Sequence, residues 1–209
     1  MNQAEIQTKL DGMKKTRKVL SIVTMVTAIV CMAVLLAYNF MSVTYLKSPV
    51  GTDYEQGFAF PGWQMIFYGF GRQFIMQDHL FDPNPYTIVG MLGTLIVLIV
   101  CTCRYQKGRN RQKAIREFIS AAFLVYSAMV LGAFLLPVAT TAATSGGVYD
   151  FKNQYILNST SSFTKLPFAN ITCAVLLLGA LVKIGNGAFL LYQKQFAAKY
   201  APKKPKGDQ

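Results

Sequence analysis

Charged side chains are scarce in this sequence of 209 residues, because Asp, Glu, Lys and Arg together make up only 14% of it. A soluble domain usually has about 25%. The charges are also clustered, and residues 19–46 contain none at all. Between such stretches too little chain remains for a separate soluble domain. The sequence therefore argues against an ordinary soluble fold and predicts a single membrane domain with loops.

Cysteine and histidine are also few, which excludes the commonest disulfide and metal architectures. There is one histidine, and the four cysteines lie within or at the ends of apolar runs: Cys31, Cys101, Cys103 and Cys173. This pattern fits neither an extracellular disulfide framework nor a zinc cluster. A phosphate-binding glycine loop and a Cys-x-x-Cys pair are missing as well. We therefore expect no cofactor and no catalytic activity.

What the sequence does contain is four apolar segments, and about 20 such residues suffice to cross a bilayer. The predicted spans are about 19–42, 87–103, 118–138 and 168–192. The first is too long for a cleaved secretory signal and is interpreted as a retained signal anchor. The predicted organisation is a basic N-terminus (1–18), a four-helix membrane domain (19–198) and a disordered basic tail (199–209). The loops 47–86 and 139–167 then lie outside.

The distribution of basic residues predicts the orientation of these spans. The formal net charge is +12, and 16 of the 21 Lys and Arg residues lie on the N-terminus, the 104–117 connector and the C-terminal segment. Basic residues are retained in the cytoplasm during insertion. This pattern predicts a multi-pass plasma membrane protein with both termini cytoplasmic. The same placement argues against nucleic acid as a partner.

The predicted fold is all-α, a four-transmembrane-helix bundle. Pairs of small residues at a spacing of four favour close helix packing in lipid: Ala33 and Ala37, Gly90 and Thr94, Ala128 and Gly132. Residues 149–157 of the second outside loop can form a strand, with residues 43–45 as a candidate partner. We therefore include a small extracellular β element as an option in the fold.

An aromatic-rich segment in the first outside loop is the leading candidate for an interaction surface. Pro61 suits a helix start, and four aromatic residues follow at spacings of four, three and four, which puts them on one helix face: Trp63, Phe67, Phe70 and Phe74. An aromatic face of this length is typical of a helix lying in the outer membrane interface. The alternative is that the face only caps the ends of the first two spans.

Two groups of polar residues carry further hypotheses. Asp78, His79 and Asp82 could bind a divalent metal, although Asp82-Pro83-Asn84-Pro85 favours a turn. Lys183 is the only charge inside a predicted span, close to Asn186, and intramembrane ionisable residues are often functional. The favoured interpretation is that Lys183 snorkels to the cytoplasmic headgroups. The alternative places Lys183 and Asn186 on a transport path.

The order of helices and loops resembles that of claudin-like tetraspans. Gly62-Trp63 matches part of the claudin loop motif, whose two cysteines this sequence lacks. The Gly62-Trp63-Gln64 element before a glycine and aromatic run is also similar to small, uncharacterised four-span bacterial membrane proteins. This resemblance implies a four-span layout and no particular activity.

These observations lead to one functional hypothesis and one alternative. We expect a non-enzymatic accessory or structural subunit of a membrane assembly, whose partners are the lipid bilayer and another membrane protein or further copies of itself. The alternative is a small oligomeric transporter or channel. Asn158 begins a three-residue glycosylation pattern, which matters only if the source is eukaryotic.

Overall fold

The computed structural model describes residues 2–47, 58–67, 85–104, 108–134 and 162–200. These residues are predominantly helical: α1 is Gln3–Phe40, α2 Gly62–Phe67, α3 Pro85–Ile88, α4 Thr94–Cys103, α5 Asn110–Ala128 and α6 Pro167–Tyr200. Two π-helical turns, Val89–Gly93 and Met129–Phe134, join α3 to α4 and extend α5. Four helical stretches are long and apolar enough to cross a membrane, which confirms the predicted number of spans: Gln3–Phe40, Tyr86–Cys103, Asn110–Leu131 and Pro167–Tyr200.

The first helix begins well before the predicted span. The stretch from Gln3 to Lys18 is continuous with the apolar part of α1 and, at 1.5 Å per residue, adds about 24 Å to it. Glu5 accepts a hydrogen bond from the backbone N–H of Asn2, which caps the helix start. Further along, Lys9 Nζ lies 5.2 Å from the ring centroid of Phe196 on α6. The N-terminal segment is thus an extension of α1 that contacts α6.

A three-stranded antiparallel sheet lies at the opposite end of the bundle. Its strands are β1 (Ser42–Lys47), β2 (Phe58–Pro61) and β3 (Ser162–Lys165), with β1 in the centre. Residues 43–45, predicted as a strand partner, therefore lie in a sheet. They pair with β2, and with β3 through Thr44↔Lys165 and Tyr45↔Thr164. The strand predicted at 149–157 lies outside the described residues.

One π-helical turn lies within the second span and the other at the end of the third. Hydroxyl groups from neighbouring helices donate hydrogen bonds to carbonyls in both turns. Tyr38 Oη donates to the carbonyl of Leu131 at 3.1 Å, and Ser127 Oγ donates to the carbonyl of Gly90. In lipid an unpaired backbone group costs several kcal/mol, because no water is present to bind it. These side chains therefore make irregular backbone compatible with the membrane interior.

Helices α1, α5 and α6 pack around a shared core that depends on a small residue. The buried side chains of this core include Cys31, Leu35, Leu124 and Leu176. A methyl group added at Gly179 would lie 2.5 Å from Cys31 Sγ and 3.5 Å from Leu124 Cδ1. Gly179 therefore lets the backbone of α6 come close to α1, in the way small residues do between membrane helices.

We expect Gly179→Ala to destabilise the protein, because its methyl group overlaps Cys31; overpacking of this kind typically costs about 1–3 kcal/mol. Gly185→Ala is the matched control on the same helix, since nothing lies within 4 Å of its added methyl group. The control should be neutral or slightly stabilising. Unfolding in detergent measures both, and Cys31→Ala should rescue Gly179→Ala. Equal stability of the two alanine variants would contradict the proposed close packing.

Candidate functional site

A buried ion pair joins the two helices that pack most extensively in the bundle. Lys183 Nζ on α6 lies 3.1 Å from Glu117 Oε2 on α5, and Asn186 Nδ2 donates to Glu117 Oε1 at 3.2 Å. Both carboxylate oxygens are thus engaged. The exposed fractions of Lys183, Glu117 and Asn186 are 3%, 2% and 1%. This polar cluster is enclosed by protein, as ionisable groups inside a membrane usually are.

The spacing of residues along each helix explains why the three side chains meet. Lys183 and Asn186 are three apart on α6, so they project from one face. Gly187 follows them, and a methyl group there would lie 3.0 Å from Phe118 Cζ on α5. Because Gly187 has no side chain, α5 and α6 approach closely enough for Lys183 to reach Glu117. The cluster lies about 24 Å along α6 from Pro167, within the thickness of a hydrocarbon core of about 30 Å.

The structure contradicts the snorkelling hypothesis for Lys183. A snorkelling lysine extends along the helix surface to the headgroups, whereas this one is buried and bound to Glu117. The hypothesis is wrong because it treats Lys183 as the only charge in a span. Without a carboxylate within the spans, the ammonium group would be stabilised only by water at the membrane surface. The structure instead supplies a carboxylate inside the bundle.

Glu117 is the member of this cluster that hydropathy does not predict. The sequence predicts a third span that starts at Phe118, one position later, because a charged residue marks the boundary of the apolar run. The helix in fact begins at Asn110. A signal was present: the buried positions of α5 continue through Glu117 at spacings of three and four, namely Ala114, Glu117, Ala121, Leu124 and Ala128. Continuing this spacing from Ala121 toward the N-terminus places Glu117 on the face of α5 that points into the core.

The predicted aromatic face lies only partly within the described residues. Trp63 and Phe67 belong to α2, and Trp63 is 37% exposed. Phe70 and Phe74 lie outside the described segments, so a single aromatic surface stays a prediction. The helix is anchored by Gly62 and Ile66 instead: Ile66 is fully buried, and a methyl group at Gly62 would overlap the carbonyl and ring of Tyr38.

The remaining site predictions also fall on residues whose structure is not described. Asp78, His79 and Asp82 belong to this group, and so does Asn158. The metal-binding and glycosylation hypotheses therefore stay predictions. Lys183 and Asn186 do lie together, as proposed for a transport path, and transport itself also stays a prediction.

No protein-family model, curated protein or solved structure matches this chain. The resemblance to small four-span bacterial proteins and to the claudin-like layout thus gains no support beyond the four apolar helices. Any functional conclusion must start from the polar cluster and the surfaces of the bundle.

We expect Glu117→Gln and Lys183→Gln each to destabilise the protein. Each leaves one buried charge without its counter-charge, and loss of one partner of a buried pair typically costs about 3–5 kcal/mol. The double variant Glu117→Leu with Lys183→Met removes both charges at similar volume, and should recover most of that loss. Lys15→Gln, at an exposed position of α1, is the control and should be nearly neutral.

Chemical unfolding in detergent gives the free energies of unfolding of these variants and of Glu117→Leu and Lys183→Met alone, which complete the double-mutant cycle. Additive losses in the double variant would contradict the ion pair, because an interacting pair gives a coupling free energy and independent sites do not. A fully stable Lys183→Gln would contradict it too, since that is the result that snorkelling predicts.

Proposed function

We propose that this chain is a non-enzymatic integral membrane protein that acts as an accessory or structural subunit of a membrane assembly. The observation that supports this proposal is that two buried charges of the spans, Glu117 and Lys183, neutralise one another inside the bundle. Glu117 uses one carboxylate oxygen for Lys183 and the other for Asn186. A pair enclosed in this way fixes the pairing of two helices and favours a structural role for the cluster.

The outer surfaces of the bundle support contact with a partner inside the bilayer. In the most apolar window of α1 only 22% of residues are buried, and in Tyr86–Cys103 only 28%. The corresponding value is 50% for Asn110–Leu131. Large apolar side chains project outward from both weakly buried helices, for example Val26 at 51% exposure and Ile96 at 60%. These two helices provide the faces that a second membrane protein would contact.

An oligomeric transporter or channel is the second candidate, and one observation favours it. Glu117 and Lys183 are ionisable residues within a span, where such residues often mark proton or ion pathways. Water that entered between the helices would link this pair, whose Nζ and Oε2 atoms lie 3.1 Å apart, to such a pathway. Four helices enclose no wide path, so this function requires self-association.

We further propose the plasma membrane as the location, with both termini in the cytoplasm. The support is the concentration of basic residues at one end of the bundle, where α1 begins and α6 ends. The sheet, at the other end, then faces outward. This orientation follows the retention of Lys and Arg on the cytoplasmic side.

Cysteine labelling tests the orientation. In a cysteine-free background, Thr8→Cys at an exposed position of α1 should react with an impermeant thiol reagent only after permeabilisation. Asp53→Cys and Ser145→Cys should react in intact cells. The connector glycine Gly108 is a poor site for a probe, because its φ of 108° strains other residues. Labelling of Thr8→Cys in intact cells would reverse the topology.

Native mass spectrometry in detergent tests the subunit proposal. The chain has a mass of 23.2 kDa, and we expect it to leave the membrane with a different chain in fixed stoichiometry. Photo-crosslinkers at Val26 and Ile96 should capture that same chain, and one at the buried Leu124 should not. The double variant Glu117→Leu with Lys183→Met should keep the complex, because the pair acts only within the bundle.

A closed homo-oligomer would overturn the subunit proposal. If that oligomer also conducts ions or protons in liposomes, and Glu117→Leu with Lys183→Met stays folded but abolishes the flux, the transporter candidate takes its place.

A further inference from the structure

The basic end of the bundle contains a cleft of about 890 Å³ formed by α1, α5 and α6. Four cations from all three helices line it: Lys14, Arg109, Arg111 and Lys194. Among the described residues that line the cleft, none is acidic. The cleft thus concentrates positive charge in a concave site, where field lines are focused and anions are attracted.

The positive charge of this cleft is not neutralised within the described part of the chain. That part contains three carboxylates: Glu5, Asp11 and Glu117. Glu5 caps α1, Glu117 is buried with Lys183, and Asp11 lies 2.8 Å from Lys14. The other three cations of the cleft form no salt bridge among these residues. Three uncompensated charges therefore face the same space.

The start of α5 adds to the attraction for an anion. Its first turn contains no acidic residue, and Arg111 within that turn and Arg109 just before it lie where the helix dipole favours negative charge. Basic residues at this end repel the dipole, so the arrangement is unfavourable until an anion binds. The unpaired N–H groups of a first helical turn are themselves suited to phosphate.

A buried side-chain amide points to a ligand independently of these charges. Gln193 lines the cleft and is only 8% exposed. Its Oε1 has no hydrogen-bond partner among the described residues. The atom itself is closed to solvent, so a ligand hydroxyl in the cleft would satisfy this costly unpaired acceptor after the side chain has turned toward the cleft. The site therefore fits an anion that also carries a hydroxyl group.

Apolar residues connect the cleft to the membrane. Leu10 and Ile115 line it beside the cations. Ile115 is 47% exposed, and Ile119, one turn further along α5, is 45% exposed. The two form an apolar strip that runs from the cleft along α5 into the predicted hydrocarbon region. An occupant that is anionic at one end and apolar at the other matches both parts of this surface.

We propose that the cleft binds the phosphate-bearing headgroup of an anionic phospholipid. The phosphate lies among Arg109, Arg111 and Lys194, and an acyl chain lies along Ile115 and Ile119. A headgroup hydroxyl donates to Gln193 Oε1 once that side chain has turned toward the cleft. Basic pockets between membrane helices bind anionic headgroups in this manner. The inference depends on the chain being embedded in a bilayer, and it is independent of the subunit proposal.

Titration of the full-length protein with phosphatidylglycerol, followed by native mass spectrometry, tests the site. Phosphatidylcholine is the reference lipid, because it carries a phosphate but no net charge and no free hydroxyl. We expect at least a tenfold preference for phosphatidylglycerol. Arg111→Gln with Lys194→Gln should lower that affinity roughly 25-fold, since each basic residue near an anionic lipid contributes about fivefold. The loss should shrink at high salt.

The matched control is Lys15→Gln with Lys18→Gln, which removes the same charge from exposed positions of α1 outside the cleft. It should change the affinity less than twofold. Equal losses in the two double variants would mean that diffuse charge attracts the lipid, and the proposed site would be wrong. If the cleft variant does not fold, Lys194→Gln alone should still show a fivefold loss, and an unchanged affinity there would overturn the proposal.

A soluble phosphate ester shares the same headgroup chemistry, so a competition experiment separates the two sources. Inorganic phosphate and glycerol 3-phosphate at millimolar concentration should leave bound phosphatidylglycerol in place, because neither contacts the apolar strip. Displacement by either compound would show that the cleft is a site for soluble phosphate and would overturn the lipid assignment. Equal affinity for phosphatidylglycerol and phosphatidylcholine would also overturn the lipid assignment.

Discussion

The need to neutralise two buried charges, those of Glu117 and Lys183, constrains how α5 and α6 pack against each other. A charge in hydrocarbon is tolerated only with a partner, so α5 and α6 have one relative position in which both charges are satisfied. Asn186 adds a hydrogen bond that occupies the second carboxylate oxygen. Apolar packing alone tolerates small shifts of one helix along another in lipid. An ion pair between buried side chains, with Nζ and Oε2 3.1 Å apart, limits such shifts.

The same requirement governs the backbone. Where the second and third spans become π-helical, the hydroxyls of Tyr38 and Ser127 donate to carbonyls on neighbouring helices. Thr94 adds a third such bond, to the carbonyl of Phe123 at 3.0 Å. Each bond is specific to one alignment of two helices. Polar contacts therefore decide how the helices are arranged, and small residues such as Gly179 let them come close enough to form.

Composition and charge were sufficient to predict four apolar spans, because the hydrocarbon thickness fixes the length of any helix that crosses it. The spacing of small residues also predicts Gly90 and Thr94 as packing residues, and both are buried. The ends of the helices were not predictable in this way: α1 and α6 continue into polar sequence, where hydropathy carries no signal. The partner of Lys183 lay at sequence position 117, and no local pattern connects residues so far apart. Helix periodicity is the one signal in the sequence that would have placed Glu117 inside.

The separation of Glu117 and Lys183 along the chain has a consequence for biogenesis. While α5 is made, Glu117 lacks the partner that it has in the folded bundle, because α6 begins more than thirty residues after α5 ends. An unpaired charge within a span is unfavourable. Helix α5 therefore reaches its most favourable state in the lipid only after α6 has been made. The salt bridge thereby couples the insertion of the last two helices.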